Sequence, residues 1–339
     1  MTVVVKLGSS LVTDGRRIRR SLLNARAADV AAIAERGERV CLVSSGAIAL
    51  GLPLLGHARR PRSLPQLQAA SATGQVQLQL AWDAALRKHG LRAAQILLSA
   101  GDLADRVSYV NARNALRALL RLGVVPVVNE NDATATDEIT FGDNDALAAQ
   151  VAVLLGARLL VLLTEVEGVY SAGAELLASG DAVDEAALRG GGQLGRGGMA
   201  SKVAAARLAA DAGIPTVIAS GRGRGVVDAI ARGEARGTRF APAERSSNAF
   251  KLWLRHAKPV AGRLVVDDGA RDAIVKGGRS LLAVGVVSCD GAFREGDAVE
   301  LAALDGTAIG KGIAGATADE VRARPRGVEA VHRDRLVLY

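Results

Sequence analysis

Cysteine, histidine and aromatic residues are scarce in this sequence. Of its 339 residues, 2 are cysteine and 4 are histidine, and aromatic residues make up 3%. The two cysteines, Cys41 and Cys289, lie far apart in the chain, and no Cys/His spacing typical of a metal site occurs. These absences exclude a disulfide framework and a cysteine-based metal site, and we expect two buried free thiols in a cytosolic protein.

Long apolar runs and a recognisable leader are absent as well. No stretch reaches about 18 uncharged apolar residues, the length that indicates a membrane-spanning helix, so we predict no membrane contact. The first strand follows Met1 without a charged leader or a cleavage site, which favours a cytoplasmic location. A length of 339 residues is enough for two domains and a large core.

The net charge of +8 is distributed unevenly. Residues 259–339 hold 11 Lys/Arg and 12 Asp/Glu, whereas the rest of the chain holds 32 and 23. Much of the excess falls in two arginine clusters, at residues 16–20 and 59–62, which we interpret as solvated surface with a minor share that could steer anionic substrates. The near-neutral C-terminal part argues against RNA binding, because nucleic-acid binders concentrate Lys and Arg on the contact face.

Small and branched apolar residues are abundant, with 49% hydrophobic residues and 39 glycines. Such a composition suits helices packed closely on a parallel sheet. Residues 124–128 are a β-branched run typical of a strand buried on both faces. Polar residues follow it directly at 129–132 (Asn-Glu-Asn-Asp) and again at 142–145 (Gly-Asp-Asn-Asp). Because ligands bind beyond the carboxyl ends of such strands, we predict a binding site here; the alternative is a solvated loop in which Asp143 or Asp145 caps a helix.

Three other predicted strands also end in small or polar residues. The strand at residues 3–7 contains Lys6 and leads into Gly-Ser-Ser, a turn whose amides could approach a phosphate, although the spacing of a Walker loop is absent. The strand at 39–43 ends in Ser-Ser-Gly-Ala. The strand at 158–163 ends in Thr164 and Glu165, which could meet a ribose or a magnesium ion or be ordinary loop residues.

A glycine-dense stretch at residues 190–202 precedes a predicted helix at 201–212. Free amides at such a helix start fit a phosphate, and the alternative is a flexible linker. Periodicity predicts further helices at 21–35, 67–88, 111–122 and 145–155, a strand at 93–98, and a last strand of this half at 214–219.

The sequence pattern changes after a predicted connector at residues 237–255. From residue 262, short β-rich runs alternate with Asp-Gly and Gly-Gly turns, at 263–266, 281–284, 298–303 and 308–309. This pattern predicts a small β-barrel. We therefore predict a first domain at residues 1–250 and a second at 259–339.

Taken together, the motifs resemble the glutamate-phosphorylating branch of the amino acid kinase family, which carries a C-terminal PUA domain. The resemblance implies a three-layer α/β fold, with an open, mainly parallel sheet between helices, and a barrel-like PUA domain. The segments that carry it are 6–10 (Lys-Leu-Gly-Ser-Ser), 43–49, 129–132, 141–145 and 195–202, with 265–270 and 276–282 resembling the PUA part.

What the resemblance implies is ATP-dependent phosphorylation of the side-chain carboxylate of L-glutamate to L-glutamyl 5-phosphate, the first step of proline biosynthesis. The ammonium group of glutamate would donate to Asp132. Asp143 and Asp145 would support the residues that contact the substrate, or would organise Mg²⁺. The implied catalytic residues are Lys6 and Lys202; the implied glutamate-binding residues are Ser45, Gly46, Asp132 and Asn144; and the implied ATP-binding residues are Lys6, Gly8, Ser9, Thr164, Glu165, Arg196, Gly197, Gly198, Met199, Ala200, Ser201 and Lys202.

The sequence departs from the family pattern on the nucleotide side. Glu165 and Glu167 stand where aspartates are usual, residues 171–173 replace an Asp-Pro, and Arg196 stands where threonine is frequent. Any difference in behaviour is therefore expected in nucleotide preference or affinity.

Two alternatives and several partners remain open at this point. One alternative is a family member with another acceptor, such as aspartate, N-acetylglutamate or a small phosphate; residues 129–132 and the PUA-like tail argue against it. The other is an RNA-binding protein, against which the charge of the tail argues. The resemblance also implies a homodimer or homotetramer, feedback inhibition by proline, and glutamate-5-semialdehyde dehydrogenase as the enzyme that takes the acyl phosphate.

Overall fold

The computed structural model describes residues 1–15, 17–134, 143–184, 198–243, 249–256 and 258–339. The chain divides into two compact units, Met1–Ser246 and Ser247–Tyr339. No helix within these ranges has the length and apolar character needed to cross a membrane.

A seven-stranded sheet forms the centre of the first unit, in the order β3-β4-β2-β1-β5-β6-β7. Strands β1 to β6 run parallel, and β7 is antiparallel to β6. The register pairs Leu7 of β1 with Ser44 of β2 and with Leu163 of β5, so these strands end at one edge. The strands are β1 Thr2–Leu7, β2 Arg39–Ser44, β3 Arg92–Leu98, β4 Val124–Glu130, β5 Leu159–Thr164, β6 Thr216–Ser220 and β7 Thr238–Phe240.

Helices cover both faces of this sheet, and their apolar sides form the core with its Val and Leu side chains. Trp82 is the largest fully buried side chain. The helices are α1 Ser9–Val12, α2 Arg20–Glu35, α3 Ala47–Leu54, α4 Leu64–Arg87, α5 Ala100–Ala104, α6 Arg106–Arg121, α7 Asp143–Leu155, α8 Gly198–Asp211 and α9 Val226–Ala231.

Helices α3 and α4 cross with their backbones in contact. A Cβ on Gly51 would lie 1.7 Å from the carbonyl oxygen of Ala70, and a Cβ on Gly74 would lie 1.9 Å from that of Ala47. Glycine is therefore required at the crossing, because any side chain would push the helices apart. The crossing explains why Gly74 interrupts the apolar pattern of α4, and it fixes the adjacent Gln75 over the sheet.

Two sequence predictions about element boundaries are wrong. The strand at 214–219 is not the last of this half, because Thr238–Phe240 adds β7 within the predicted connector, pairing Thr216 with Phe240. The helix predicted at 111–122 begins at Arg106, where the side chain of Asp105 accepts from the Ser108 amide at 2.8 Å. Its first turn carries Val107, which is 68% exposed, so the apolar period there is obscured.

The second unit contains a six-stranded sheet in the order β10-β8-β11-β12-β13-β9, with register shifts that curve it. It has its own core, which includes Leu264, Phe293 and Val331. The predicted β-rich pattern is confirmed, although the mostly exposed strand β10 and the strand β13, whose middle is exposed and charged, were not predicted. The elements are α10 Ala249–His256, β8 Val260–Val266, α11 Asp268–Val275, β9 Leu281–Leu282, β10 Val286–Gly291, β11 Ala298–Ala302, β12 Ala308–Ala314, α12 Ala318–Arg322 and β13 Glu329–Leu338.

The two thiols differ in their surroundings. Both are free, but only Cys41 is fully buried, whereas Cys289 is half-buried. Burial raises the pKa of the Cys41 thiol to about 12. The expectation of two buried thiols is therefore wrong for Cys289, which lies on the sheet of the second unit.

Candidate active site

Polar side chains gather where β1, β2 and β4 end and where α7 begins. The amide of Ser45 donates to the carbonyl of Leu7 at 3.0 Å, and the amide of Asn131 donates to that of Leu98 at 2.9 Å. These bonds tie the segments after neighbouring strands to one another. The edge of the sheet thus presents the residues that the sequence singled out.

A carboxylate between two ammonium groups lies at the centre of this edge. Nζ of Lys6 lies 2.6 Å from Oδ1 of Asp145, and Nζ of Lys202 lies 3.0 Å from its Oδ2. Lys202 also donates to the carbonyl of Gly198 at 3.3 Å, and Oγ of Ser201 lies 3.4 Å from Asp145 Oδ2. Residues from β1, α7 and α8 are thereby joined, although they are far apart in the sequence.

Burial dominates the electrostatics of Lys6, whose residue is 3% exposed. Desolvation lowers the pKa of its ammonium group and the charge of Lys202 lowers it further, while Asp145 opposes both effects. Asp145, itself 1% exposed, is thus the counter-charge that keeps the two cations together. Each of its two carboxylate oxygens faces a lysine. The structure therefore places Asp145 as the shared counter-ion of Lys6 and Lys202.

The turn after β1 leaves room beside Lys6. A Cβ on Gly8 would lie 3.8 Å from Nζ of Lys6, so Gly8 presents bare backbone near the ammonium group. Helix α1 begins at the next residue, Ser9. Both residues are half-buried.

Asn144 connects the end of β2 with β4. Its Nδ2 donates to Oγ of Ser45 and to Oδ1 of Asn129, both at 2.8 Å. Gly46 follows Ser45 and immediately precedes α3. Its φ of +118° is a conformation that residues other than glycine rarely adopt. Asn144 and Asp145 are consecutive, so one turn of α7 serves both clusters.

Asp132 belongs to the same edge through α4. Oγ of Ser71 donates to Asp132 Oδ2 at 2.6 Å, and Asp132 is 8% exposed. Partial desolvation lowers the pKa of Arg60, and the negative charge of Asp132 opposes that shift, which places Arg60 within electrostatic reach of this carboxylate. Sequence reasoning assigned Arg60 to solvated surface and did not select Ser71; neither residue stands in a recognisable motif.

Thr164 at the end of β5 and the following Glu165, both predicted to bind the nucleotide, contact a different segment. The amide of Gly221 donates to the carbonyl of Thr164 at 2.7 Å. Oε1 of Glu165 accepts from Nη2 of Arg222 at 3.4 Å in an exposed ion pair. Thr164 and Glu165 therefore contact the turn after β6, and within the described ranges neither forms a hydrogen bond or an ion pair with Lys6.

The first turn of α8 holds other predicted residues. Gly198, Met199 and Ala200 are half-buried and precede Ser201 and Lys202, which reach Asp145. The predictions for Arg196 and Gly197 lie outside the described residues. So does the side chain of Asp143, whose backbone begins α7.

A metal cage built by the protein is not found in the described ranges, since no three His, Cys, Asp or Glu side chains converge there. Asp145 faces lysines with both oxygens. The described donor set therefore fits a metal ion that arrives with a phosphate ligand better than one held by carboxylates alone.

Comparison with known proteins identifies the family of the chain. Residues 1–220 match the amino acid kinase family, and residues 262–334 match the PUA domain. The chain belongs to the amino acid kinase family. Its relatives include the glutamate 5-kinase of Burkholderia thailandensis, 45% identical over 99% of this chain and 97% of that protein, and the glutamate 5-kinase of Paraburkholderia phymatum, 43% identical with the same coverage.

Solved structures share the fold of the first unit. An isopentenyl phosphate kinase superposes with a TM-score of 0.51 at 20% identity, covering 71% of this chain and 100% of its own. A Giardia carbamate kinase gives 0.52 at 19% identity, covering 71% and 99%. The predicted three-layer fold with a mainly parallel sheet, and the predicted family, are confirmed.

Proposed function

We propose that this protein transfers the γ-phosphoryl group of ATP to the side-chain carboxylate of L-glutamate, giving L-glutamyl 5-phosphate in the first step of proline biosynthesis. The observation that carries the proposal is the pair of ammonium groups of Lys6 and Lys202 on the buried Asp145, one residue from Asn144. The full-length similarity to glutamate 5-kinases supports the choice of acceptor.

The two lysines address the main difficulty of this reaction. A carboxylate and the γ-phosphate of ATP are both anionic, so their repulsion dominates the barrier until cations intervene. Lys6 and Lys202 lie far apart in the sequence, and both would face the phosphoryl group during transfer. A glutamate carboxylate is ionised at pH 7 and needs no general base, so positioning and charge stabilisation are most of the task.

Glutamate would bind at the ends of β2 and β4. Ser45, Gly46 and Asn144 would contact it, and Asp132 would accept from its ammonium group. The bond from Ser71 to Asp132 and the nearby charge of Arg60 support an anchored carboxylate there.

ATP would lie on the side of Gly8, Ser9, Thr164 and Glu165, with the segment at residues 196–202 against its phosphates. Mg²⁺ would arrive with the nucleotide and neutralise part of its phosphate charge, while Asp143 and Asp145 would organise the surroundings. The bond from Ser201 to Asp145 supports a link between this segment and the reacting phosphate.

The same proposal includes several features of the whole enzyme. We propose a cytoplasmic homodimer or homotetramer that proline inhibits and whose labile product passes to glutamate-5-semialdehyde dehydrogenase. We do not expect the PUA domain to bind RNA, because residues 259–339 carry 11 Lys/Arg against 12 Asp/Glu.

Trapping of the acyl phosphate with hydroxylamine tests the proposal. Purified protein with ATP, Mg²⁺ and hydroxylamine should form γ-glutamyl hydroxamate from L-glutamate, and should form far less product from aspartate or N-acetylglutamate. Parallel reactions with proline test feedback inhibition. Equal or faster ATP consumption with another acceptor would reject glutamate as the substrate.

A further inference from the structure

Four carboxamides form a chain of hydrogen bonds from α7 to the edge strand β3. Nδ2 of Asn144 donates to Oδ1 of Asn129 at 2.8 Å, and Nδ2 of Asn129 donates to Oε1 of Gln75 at 2.8 Å. Nε2 of Gln75 then donates to Oε1 of Gln95 at 3.3 Å. Every amide nitrogen points in the same direction along the chain, so each group fixes the orientation of the one before it.

With this order of donors and acceptors, the side-chain oxygen of Asn144 remains available to a ligand. Its Nδ2 uses both hydrogens, one on Asn129 and one on Ser45. Its Oδ1 is buried and has no hydrogen-bond partner within the described part of the chain. Asn144 as a whole is 9% exposed. A buried acceptor that no described residue satisfies is suited to a donor on a bound ligand.

Helix α4 holds both Asp132 and the amide chain. Ser71 donates to Asp132, and Gln75, one helical turn further on, accepts from Asn129. Residues four apart on a helix lie on the same side. Asp132 and the amide chain are therefore both anchored to one face of α4, and an ammonium group is the ligand that suits a carboxylate together with an amide oxygen.

We propose that Gln75, acting through Asn129, is a positioning residue that holds the Asn144 oxygen toward the α-ammonium group of the acceptor, and that this makes the site specific for substrates with a free α-ammonium. The inference rests on the proposed function and deepens it. Acceptors that lack the ammonium group, or carry it acylated, leave Asn144 Oδ1 without its donor and are disfavoured.

Gln75→Met tests the inference in the full-length protein, because methionine keeps the length of the side chain and removes the acceptor for Asn129. The KM for L-glutamate should rise about tenfold, the worth of one hydrogen bond to a charged group. The KM for ATP should stay unchanged. Gln77→Met is the matched control, since Gln77 is exposed on the same helix; it should behave as the unmodified protein.

Glutarate, which lacks the ammonium group, separates positioning from general damage. Its inhibition constant against glutamate should be nearly the same in Gln75→Met and in the unmodified protein. An equal rise for glutamate and glutarate would overturn the ammonium assignment, and an unchanged KM for glutamate would overturn the positioning role.

A second variant keeps the test valid if Gln75→Met does not fold. Gln75→Glu retains an oxygen for Asn129, so its KM for glutamate should stay close to that of the unmodified protein; a large rise would overturn the inference. Absence of glutamate turnover in the unmodified protein would instead reject the proposed function, and this inference with it.

Discussion

At the scale of single residues, Asp145 explains how two lysines remain adjacent in a buried site. Two ammonium groups repel each other, and desolvation lowers the pKa of Lys6 further. The carboxylate of Asp145 lies against both of them, at 2.6 and 3.0 Å. Without it, no carboxylate in the described part of the chain would form an ion pair with either lysine.

The lysines themselves are the first target for mutation. Lys6→Ala and Lys202→Ala should each lower kcat by about 100-fold or more, since each removes a charge that stabilises the transferred phosphoryl group. The KM for glutamate should change little. Lys88→Ala, at an exposed position that donates to Asn24, serves as the control in the hydroxamate assay. Unchanged kcat in both site variants would reject the phosphate-facing role.

The pH dependence of kcat/KM follows from the lowered pKa of Lys6 in the free protein. In the proposed mechanism the ammonium form is the active one, so kcat/KM should fall as pH rises, at a lower pH than an ordinary lysine would give. Asp145 raises the pKa of Lys6, and Asp145→Asn should therefore move this fall to a still lower pH. Profiles of kcat/KM between about pH 7 and 10 would show it; coincident profiles would contradict the assignment.

Sequence reasoning finds the residues of this site that stand in motifs and misses those that do not. Lys6 lies near the end of β1, and Asn144, Asp145 and Lys202 lie near the starts of α7 and α8, where polar residues are conspicuous. Gln75 is one glutamine among several on α4. Only the crossing of α4 over the sheet brings it to Asn129, and spacing along the chain carries no trace of that contact.

At the scale of elements, the contact between α3 and α4 determines where the residues of the proposed glutamate site lie. Ser71 and Gln75 lie on either side of Gly74 in the sequence of α4, and Gly46 immediately precedes α3. The close approach of the two backbones therefore sets the distance between the end of β2 and the face of α4. The absence of side chains at Gly51 and Gly74 thus allows α3 and α4 to lie at this short distance.

Gly74→Ala should lower the free energy of unfolding by about 3 kcal/mol, at the upper end for overpacking, because backbone atoms that cannot move aside surround the new methyl group. Gly101→Ala is the control, since a Cβ there meets only Ser99 Oγ, at 3.5 Å. Urea denaturation would measure both. A loss no greater than that of the control would mean that the helices can separate at little cost.

Buried parallel strands are predictable from sequence because unbroken apolar runs leave few alternatives. The short antiparallel β7 is not, because three residues show no period and its place depends on β6. The start of α6 is obscured for a related reason, since the cap at Asp105 and the exposed Val107 hide the apolar spacing.

At the scale of the whole molecule, every described candidate residue belongs to the unit Met1–Ser246. That unit has a core of its own, and so does the unit Ser247–Tyr339. Composition and turn spacing predict this change of architecture, because β-rich runs with glycine turns replace alternating strands and helices. The extent of each domain stays a prediction from the sequence.

A chain truncated after Ala243 should fold and phosphorylate glutamate with a kcat within about threefold of the full chain, since a domain with its own core can fold alone. Circular dichroism would report folding, and hydroxamate formation would report activity. A folded but inactive fragment would show that the C-terminal unit contributes to turnover.

The adjacency of Asn144 and Asp145 has a mechanical consequence. The first contacts Ser45 and the second contacts both lysines, so a single peptide bond links the proposed acceptor site to the proposed phosphate site. Any displacement of the start of α7 would therefore shift both proposed sites together, which would preserve the alignment between them.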